Sequence, residues 1–249
     1  MSIDLSIIFP CYQASDFVQH SLDQVAEGFF RHMKSFEIIA VDDGSPDGTG
    51  QTLDVLAATR PWLVVVKHSR NRGKGQALLT GFQNARGDNI IVNDIDLQYP
   101  VSDMLHCYRE LKDNDDSLII GSRLHSHSIY HIRPRQLRYI YTRQILSRFL
   151  NFVLRAFFLP GIFDTQCGLK GFPREFIEVI NSGLSVVRGF AFDIELLLIA
   201  RIRNFSIREM PVNFNYTDIP STVKFISAGT RIIKDLVRIG FRWIYGRYK

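Results

Sequence analysis

Residues 89–100 read NIIVNDIDLQYP, an apolar run over Asn89–Asn93 that passes directly into the acidic loop Asp94-Ile95-Asp96-Leu97-Gln98. A short apolar run bounded by turn-forming residues reads as a β-strand. The same pattern recurs at Leu5–Phe9, Glu37–Val41 and Leu63–Lys67 before it, and at Ser117–Gly121 after it. Helical patterns fit between these runs, roughly at 15–31, 48–59, 74–86 and 101–112. This alternation predicts βαβ units, and hence an α/β fold with a Rossmann-like, mostly parallel central sheet flanked by helices. No internal repeat, low-complexity tract or Gly/Ser linker interrupts it, so residues 1–249 are expected to form a single domain.

In such a sheet, ligands bind beyond the carboxyl ends of the strands, so the loops after the strands are where chemistry is expected. If the chain stays extended through Asp94–Gln98, side chains two apart point the same way, and Asp94, Asp96 and Gln98 present three oxygens to one site. That set suits a hard divalent ion, Mg²⁺ or Mn²⁺, bridging nucleotide phosphates. A lone Asp-x-Asp is a common surface feature; its place after the fourth strand of this sheet gives it weight. The loop after the second run, Asp42-Asp43-Gly44-Ser45-Pro46-Asp47-Gly48-Thr49, can accept hydrogen bonds from a nucleobase or ribose, or simply cap the next helix. After the third run, Asn71-Arg72-Gly73-Lys74-Gly75 combines close backbone approach with positive charge near a helix start. It matches neither the ATPase phosphate loop nor the G-x-G-x-x-G dinucleotide motif.

The chain has 249 residues, 46% of them hydrophobic, which excludes disorder and a small disulfide scaffold. Its formal charge of +5 is unevenly divided: residues 1–122 hold 10 Lys and Arg against 17 Asp and Glu, whereas 123–249 hold 20 against 8. An acidic half suits a metal and a basic half an anionic partner. Cys11, Cys107 and Cys167 lack metal-binding spacing, and a reduced, cytosolic-side protein is the simplest reading. Cys167 reads as a packed small residue rather than a nucleophile. His125, His127 and His131 lie in a polar loop without acidic or thiol companions, which fits an acceptor loop better than a zinc site.

No run meets the length of about 18–20 apolar residues that a membrane span requires, and Arg155 interrupts the most apolar stretch, Phe149–Phe163. Two basic amphipathic helices are predicted instead. One runs from Arg135 to Phe158. In the other, over the last 20 or so residues, Arg231, Lys234, Arg238 and Arg242 line one face, with Ile232, Ile233, Leu236, Val237, Trp243 and Ile244 towards the other. Such helices can lie on a membrane surface or can pack on the sheet with a solvated basic face.

Together, Pro10-Cys11-Tyr12, Asp42-Asp43-Gly44-Ser45, Asn71-Arg72-Gly73-Lys74-Gly75, Asp94-Ile95-Asp96-Leu97-Gln98 and Gly121-Ser122-Arg123 resemble the ordered motifs of family 2 inverting nucleotide-sugar glycosyltransferases, which have the GT-A fold. Asp164-Thr165-Gln166-Cys167-Gly168-Leu169-Lys170-Gly171-Phe172 and Phe192-Asp193-Ile194-Glu195-Leu196-Leu197 are similar to the polyprenyl-phosphate branch, comprising dolichyl-phosphate β-glucosyltransferases and mannose synthases. The resemblance covers about residues 5–238 and leans towards the glucosyl type.

It implies a nucleotide-sugar half at 1–122 and an acceptor and membrane-interface half at 123–249. Pro10, Tyr12, Asp42, Asp43, Lys74 and Asp94 would bind the donor; Asp94, Asp96 and Gln98 would hold Mg²⁺ or Mn²⁺. Asp96, Arg123 and Asp193 would serve catalysis, although an Asp at a helix start is also an ordinary cap. Arg143, Ser147 and Lys224 would meet the acceptor phosphate. The expected reaction moves a hexose, from UDP-glucose in preference to GDP-mannose, to polyprenyl phosphate at the cytosolic face of a membrane, with peripheral attachment and room for an anchoring partner protein. A hydroxyl acceptor in surface-polysaccharide synthesis is the alternative, and it would make Asp193 or Asp164 an essential base. The chain departs from the family's usual Asn-Glu after Pro-x-Tyr, reading Gln13-Ala14-Ser15 instead. No nucleic-acid partner is expected, because it would leave the Asp94/Asp96 pair without a role.

Overall fold

Strand β1 (Leu5–Cys11) alternates its contacts across the sheet, Ile7 and Phe9 packing on one face and Ile8 on the other, all fully buried. In a computed structural model, residues 3–131, 159–182, 191–215 and 225–248 are described. The remaining elements of the first half are α1 (Val18–Phe30), β2 (Phe36–Asp42), α2 (Thr49–Ala57), β3 (Leu63–Lys67), α3 (Lys74–Asn84), β4 (Asn89–Val92), α4 (Val101–Asp113) and β5 (Ser117–Ser122). They follow the predicted alternation. After them come β6 (Ile129–His131), β7 (Lys170–Pro173), α5 (Arg174–Asn181), α6 (Phe192–Ile202), β8 (Ser206–Pro211), β9 (Asn213–Asn215) and α7 (Phe225–Ile244).

Seven strands form one sheet in the order β3-β2-β1-β4-β7-β5-β8. All neighbours run parallel except β7, which is antiparallel to both β4 and β5. Strands β7 and β8 come from beyond residue 122, so the sheet draws on both halves. Strands β6 and β9 pair parallel as a separate ribbon. Helices α1, α2 and α4 cover one face through Val18, Leu22, Val25, Leu53 and Met104, and α3, α5 and α6 cover the other through Phe82, Phe176 and Leu196–Ala200. Each large apolar side chain buried this way stabilises the fold by about 1.5–3 kcal/mol. Because β1, β2, β3 and β4 are parallel, their carboxyl ends share one edge, and the loops singled out above converge there.

One expectation is corrected. Asp94–Gln98 is not extended: β4 stops at Val92, the Leu97 N–H donates to the Asp94 carbonyl at 3.1 Å, and Leu97 takes φ +49°. A tight turn replaces the pleat because Asn93 holds both sides of the loop, accepting the Asp94 N–H at 2.9 Å and donating its side-chain amide to the Tyr99 carbonyl at 3.1 Å. In the last helix the basic face is not wholly solvated, nor is the apolar face wholly buried. Arg242 turns inward to the buried Glu195, while Val237 and Ile244 point outward with Lys234 and Arg238. The helix predicted at Arg135–Phe158, with Arg143 and Ser147, and residue Lys224 lie outside the described residues.

Candidate active site

The first two loops are bound to each other. Ser45 Oγ accepts the Gln13 N–H at 3.1 Å, Thr49 Oγ1 accepts the Ala14 N–H at 2.8 Å, and Asp47 accepts the Ser15 N–H at 3.1 Å. Burial works to raise the Asp47 carboxyl, but hydrogen bonds from Thr49 and Ser15 hold it below its ordinary value. The residues where the chain departs from the family pattern are thereby fixed through their backbone. Pro10, the last residue but one of β1, and Tyr12, directly after the strand, are both half-buried. Asp42 is buried, accepts the Ser45 N–H at 3.0 Å, and with Lys67 and His68 lines an open cleft of ≈ 450 Å³. That cleft lies at the β2–β3 end of the edge; Asp94 and Asp96 are not among its lining residues.

Asp43 is spent on the third loop. Its Oδ1 lies 2.7 Å from His68 Nδ1 and accepts the Arg72 N–H at 2.9 Å, while its Oδ2 accepts the Gly73 N–H at 2.7 Å. His68 Nε2 lies 2.9 Å from Thr80 Oγ1 on α3. Gly73 (φ +90°) then starts α3 at Lys74. Gly44 (φ +70°) has to be glycine here, because a Cβ would strike the backbone carbonyl carbon of Arg70.

Lys74, reaching over from α3, places Nζ 2.5 Å from Asp94 Oδ1. Burial lowers its ammonium, but Asp94, Asp193 and Asp96 together more than offset this, leaving it above the ordinary lysine value. Burial likewise raises the Asp94 carboxyl, and the charges of Lys74, Lys170 and Arg123 outweigh it, so Asp94 is ionised at neutral pH. Gly168 makes room for that carboxylate: a Cβ there would collide with Asp94 Oδ2. Asp96 accepts the Gln98 amide at 2.7 Å, so Gln98 orients Asp96.

Two further ion pairs close the site from the second half. Arg123 donates through Nε and Nη2 to Asp164 at 2.7 and 2.9 Å, and its backbone N–H meets the same carboxylate at 3.0 Å. Burial works to raise the Asp164 carboxyl, and Arg123 holds it below its ordinary value. Lys170, fully buried in β7, donates to Asp193 at 2.8 Å and to the Cys167 carbonyl. Asp193 lies in the first turn of α6, whose start at Ala191 has no side-chain cap, so Asp193 is an ion-pair partner here rather than a cap. Burial pushes the Cys167 thiol up to about 11, in keeping with packing. Lys170 and His68 were not singled out from the sequence. The available signals were a lysine inside an otherwise apolar strand and a lone histidine directly after β3.

The structure thus brings Lys74, Asp94, Asp96, Lys170 and Asp193 into one electrostatic cluster with the Arg123–Asp164 pair beside it. Among the described residues no three His, Cys, Asp or Glu side chains form a metal-holding group. Two carboxylates that leave the remaining positions to substrate phosphates and water are the usual arrangement for Mg²⁺. Asp94 and Asp96 both act electrostatically on the Lys74 ammonium, so two carboxylates bear on one cationic group at this edge.

Residues 6–180 match the family model described as Glycosyl transferase family 2. The chain is 31% identical to the dolichyl-phosphate beta-glucosyltransferase of Dictyostelium discoideum, over 100% of its own length and 77% of that protein. It is 30% identical to the human dolichyl-phosphate beta-glucosyltransferase, over 98% of its length and 77% of that protein. Among solved structures, glucosyl-3-phosphoglycerate synthase from Mycobacterium tuberculosis in complex with UDP superposes with a TM-score of 0.71 at 17% identity, covering 95% of this chain and 80% of that one. A mannosyltransferase from Pyrobaculum calidifontis in complex with GDP-Man and Mn²⁺ gives 0.64 at 22% identity, covering 98% of this chain and 65% of that one.

Proposed function

Because the chain belongs to glycosyl transferase family 2 and has the GT-A fold, we propose that it transfers glucose from UDP-glucose to a polyprenyl phosphate, with inversion, at the cytosolic face of a membrane. The observation that carries this reading is similarity along essentially the whole chain to dolichyl-phosphate beta-glucosyltransferases. GDP-mannose is the competing donor. The three free cysteines are in keeping with a reducing compartment.

Pro10, Tyr12 and Asp42 would receive the nucleoside, with Asp43 and His68 fixing the loop that carries Lys74. Asp94 and Asp96, the latter oriented by Gln98, would hold Mg²⁺ or Mn²⁺, which when bound neutralises charge on the diphosphate. The acceptor's phosphate oxygen forms a bond to the anomeric carbon as the bond to the diphosphate oxygen breaks, and the electron pair departs with the nucleoside diphosphate. Lys74 and Arg123 would stabilise that departing charge. Arg143, Ser147 and Lys224 would receive the lipid phosphate.

The ion pairs support a phosphate acceptor over a hydroxyl acceptor. A hydroxyl must lose a proton, yet Asp164 is held by Arg123 and Asp193 by Lys170. Arg123 lowers the Asp164 carboxyl and so weakens it as a base, while Asp193 Oδ1 is engaged by Lys170 Nζ. A phosphate monoester is already anionic at neutral pH and needs no base. Asp193 then serves by holding Lys170 in place.

The test is release of nucleoside diphosphate from UDP-glucose or GDP-mannose, with Mg²⁺ or Mn²⁺, with and without a short polyprenyl phosphate in detergent. Lipid-dependent release from UDP-glucose, abolished by Asp96→Ala, is expected. Donor binding without transfer to lipid phosphate would overturn the acceptor, and faster turnover of GDP-mannose would overturn the sugar.

A further inference from the structure

Arg123 is held by more than its ion pair. Asp164 takes the edge of the guanidinium through two hydrogen bonds. The guanidinium carbon also stands over the ring of Phe214, 5.9 Å from its centre, within the range of a cation–π contact. Phe214 is the buried middle residue of β9, and its ring meets those of Tyr99 at 5.5 Å and Tyr130 at 5.9 Å. The Tyr130 hydroxyl donates at 2.7 Å to the Arg123 carbonyl, so the β6–β9 ribbon reaches Arg123 at both side chain and backbone.

The same ribbon is tied to the loop that carries Asp94 and Asp96. The Asn215 N–H donates to the Gln98 carbonyl at 2.8 Å. The Asn213 N–H and side-chain amide donate at 2.6 and 2.7 Å to Asp103, a buried carboxylate in the first turn of α4, which starts directly after that loop. Leaving such a carboxylate without its donors is costly. Phe214 is therefore bolted on both flanks, and it cannot shift without breaking a bond to the Asp94–Gln98 loop or to α4. Packing at this position asks only for an apolar side chain; a ring under a guanidinium adds an attraction that depends on charge.

We infer that Phe214 is a positioning residue for the transfer reaction: it fixes the Arg123 guanidinium relative to the Asp94–Gln98 loop, so that arginine and loop meet the same diphosphate. A cation already in place for the departing charge has no ordering left to do as that charge develops. The inference deepens the proposed function and rests on its assignment of Arg123 to the diphosphate.

The experiment is calorimetric titration of the full chain with nucleoside diphosphate and monophosphate, the uridine and guanosine pairs alike, at fixed Mn²⁺. The monophosphate lacks the phosphate that Arg123 is to meet, so the ratio of the two affinities separates that contact from general loosening. Phe214→Leu, which stays apolar but loses the ring face, should lower diphosphate affinity by about fivefold to tenfold and monophosphate affinity by less than about twofold. Phe214→Tyr, which keeps the face, should stay within about twofold of the wild type. Tyr130→Phe, at an exposed position, should lower diphosphate affinity by about threefold, and it decides the question if Phe214→Leu does not fold. Unchanged diphosphate affinity in a folded Phe214→Leu, or in Tyr130→Phe where only that variant folds, would overturn the positioning role. So would an equal loss for both ligands, or an equal loss in Phe214→Tyr. Arg123→Ala separates this role from the assignment beneath it. A ratio lowered by Arg123→Ala but not by Phe214→Leu overturns the positioning role alone, whereas a ratio unmoved by Arg123→Ala removes Arg123 from the diphosphate and the positioning role with it.

Discussion

His68 Nδ1 lies 2.7 Å from Asp43 Oδ1, and the same carboxylate holds the Arg72 and Gly73 N–H groups, so a buried histidine fixes the loop that delivers Lys74. Substituting His68→Ala removes one partner of a carboxylate that keeps two others. Fold stability should fall by about 1–3 kcal/mol. UDP affinity should fall by about tenfold because the loop loosens, and His68→Gln, which keeps a side-chain donor, should recover most of it. Calorimetric titration with UDP, paired with thermal melts, separates the two effects.

Gly168 bears on the Asp94 carboxylate directly. In Gly168→Ala the new methyl group must displace Asp94 Oδ2, the movable end of a side chain, rather than backbone. The fold should tolerate this within about 1 kcal/mol, while kcat falls by about tenfold to a hundredfold. Steady-state turnover beside denaturant unfolding would check it. Equal turnover with lowered stability would contradict the placement of Asp94 at the reacting centre.

Asp96→Ala should leave the fold intact and reduce turnover by at least about a hundredfold. Stabilisation of the wild type by UDP with Mn²⁺ should disappear in the variant, as read by the melting temperature. Persistence of Mn²⁺-dependent stabilisation would show that Asp96 holds no metal.

The Asp164 carboxyl has a folded value below its ordinary 3.8 because the Arg123 pair outweighs burial. A carboxylate depressed on folding contributes stability that is fully present above its unfolded value and is lost as pH falls through the folded one. The wild type should therefore lose stability steeply below about pH 4. Asp164→Asn should show a shallower acid slope and, at neutral pH, a loss of about 1–3 kcal/mol from the weakened contacts to Arg123. Urea unfolding of both proteins across the acid range provides the comparison.

Five strands and four helices of the first half were legible because burial there repeats locally: β1 and β2 are apolar almost without interruption and each is closed by turn residues. The loops at their carboxyl ends, with Asp42, Asp43, Lys74, Asp94 and Asp96, followed from parallel topology alone. Strand β7 was not legible, since only four residues long and carrying Lys170 and Gly171, it becomes a strand by fitting antiparallel between β4 and β5. Strand β8 has exposed positions along an outer edge and offers no clear alternation of apolar residues.

The sequence by itself determined which residues could carry the chemistry and on which edge of the sheet they would gather, because strand and helix periodicities are short-range properties of the chain. Tertiary structure decided what those residues do. The pairing of Arg123 with Asp164, 41 residues apart, and of Lys170 with Asp193, 23 apart, depends on where distant strands pack, and it turns candidate bases into fixed counter-charges. The outward placement of Val237 and Ile244 on α7 was decided the same way: a helix has a full turn of possible faces, and the buried Glu195 selects which one faces inward.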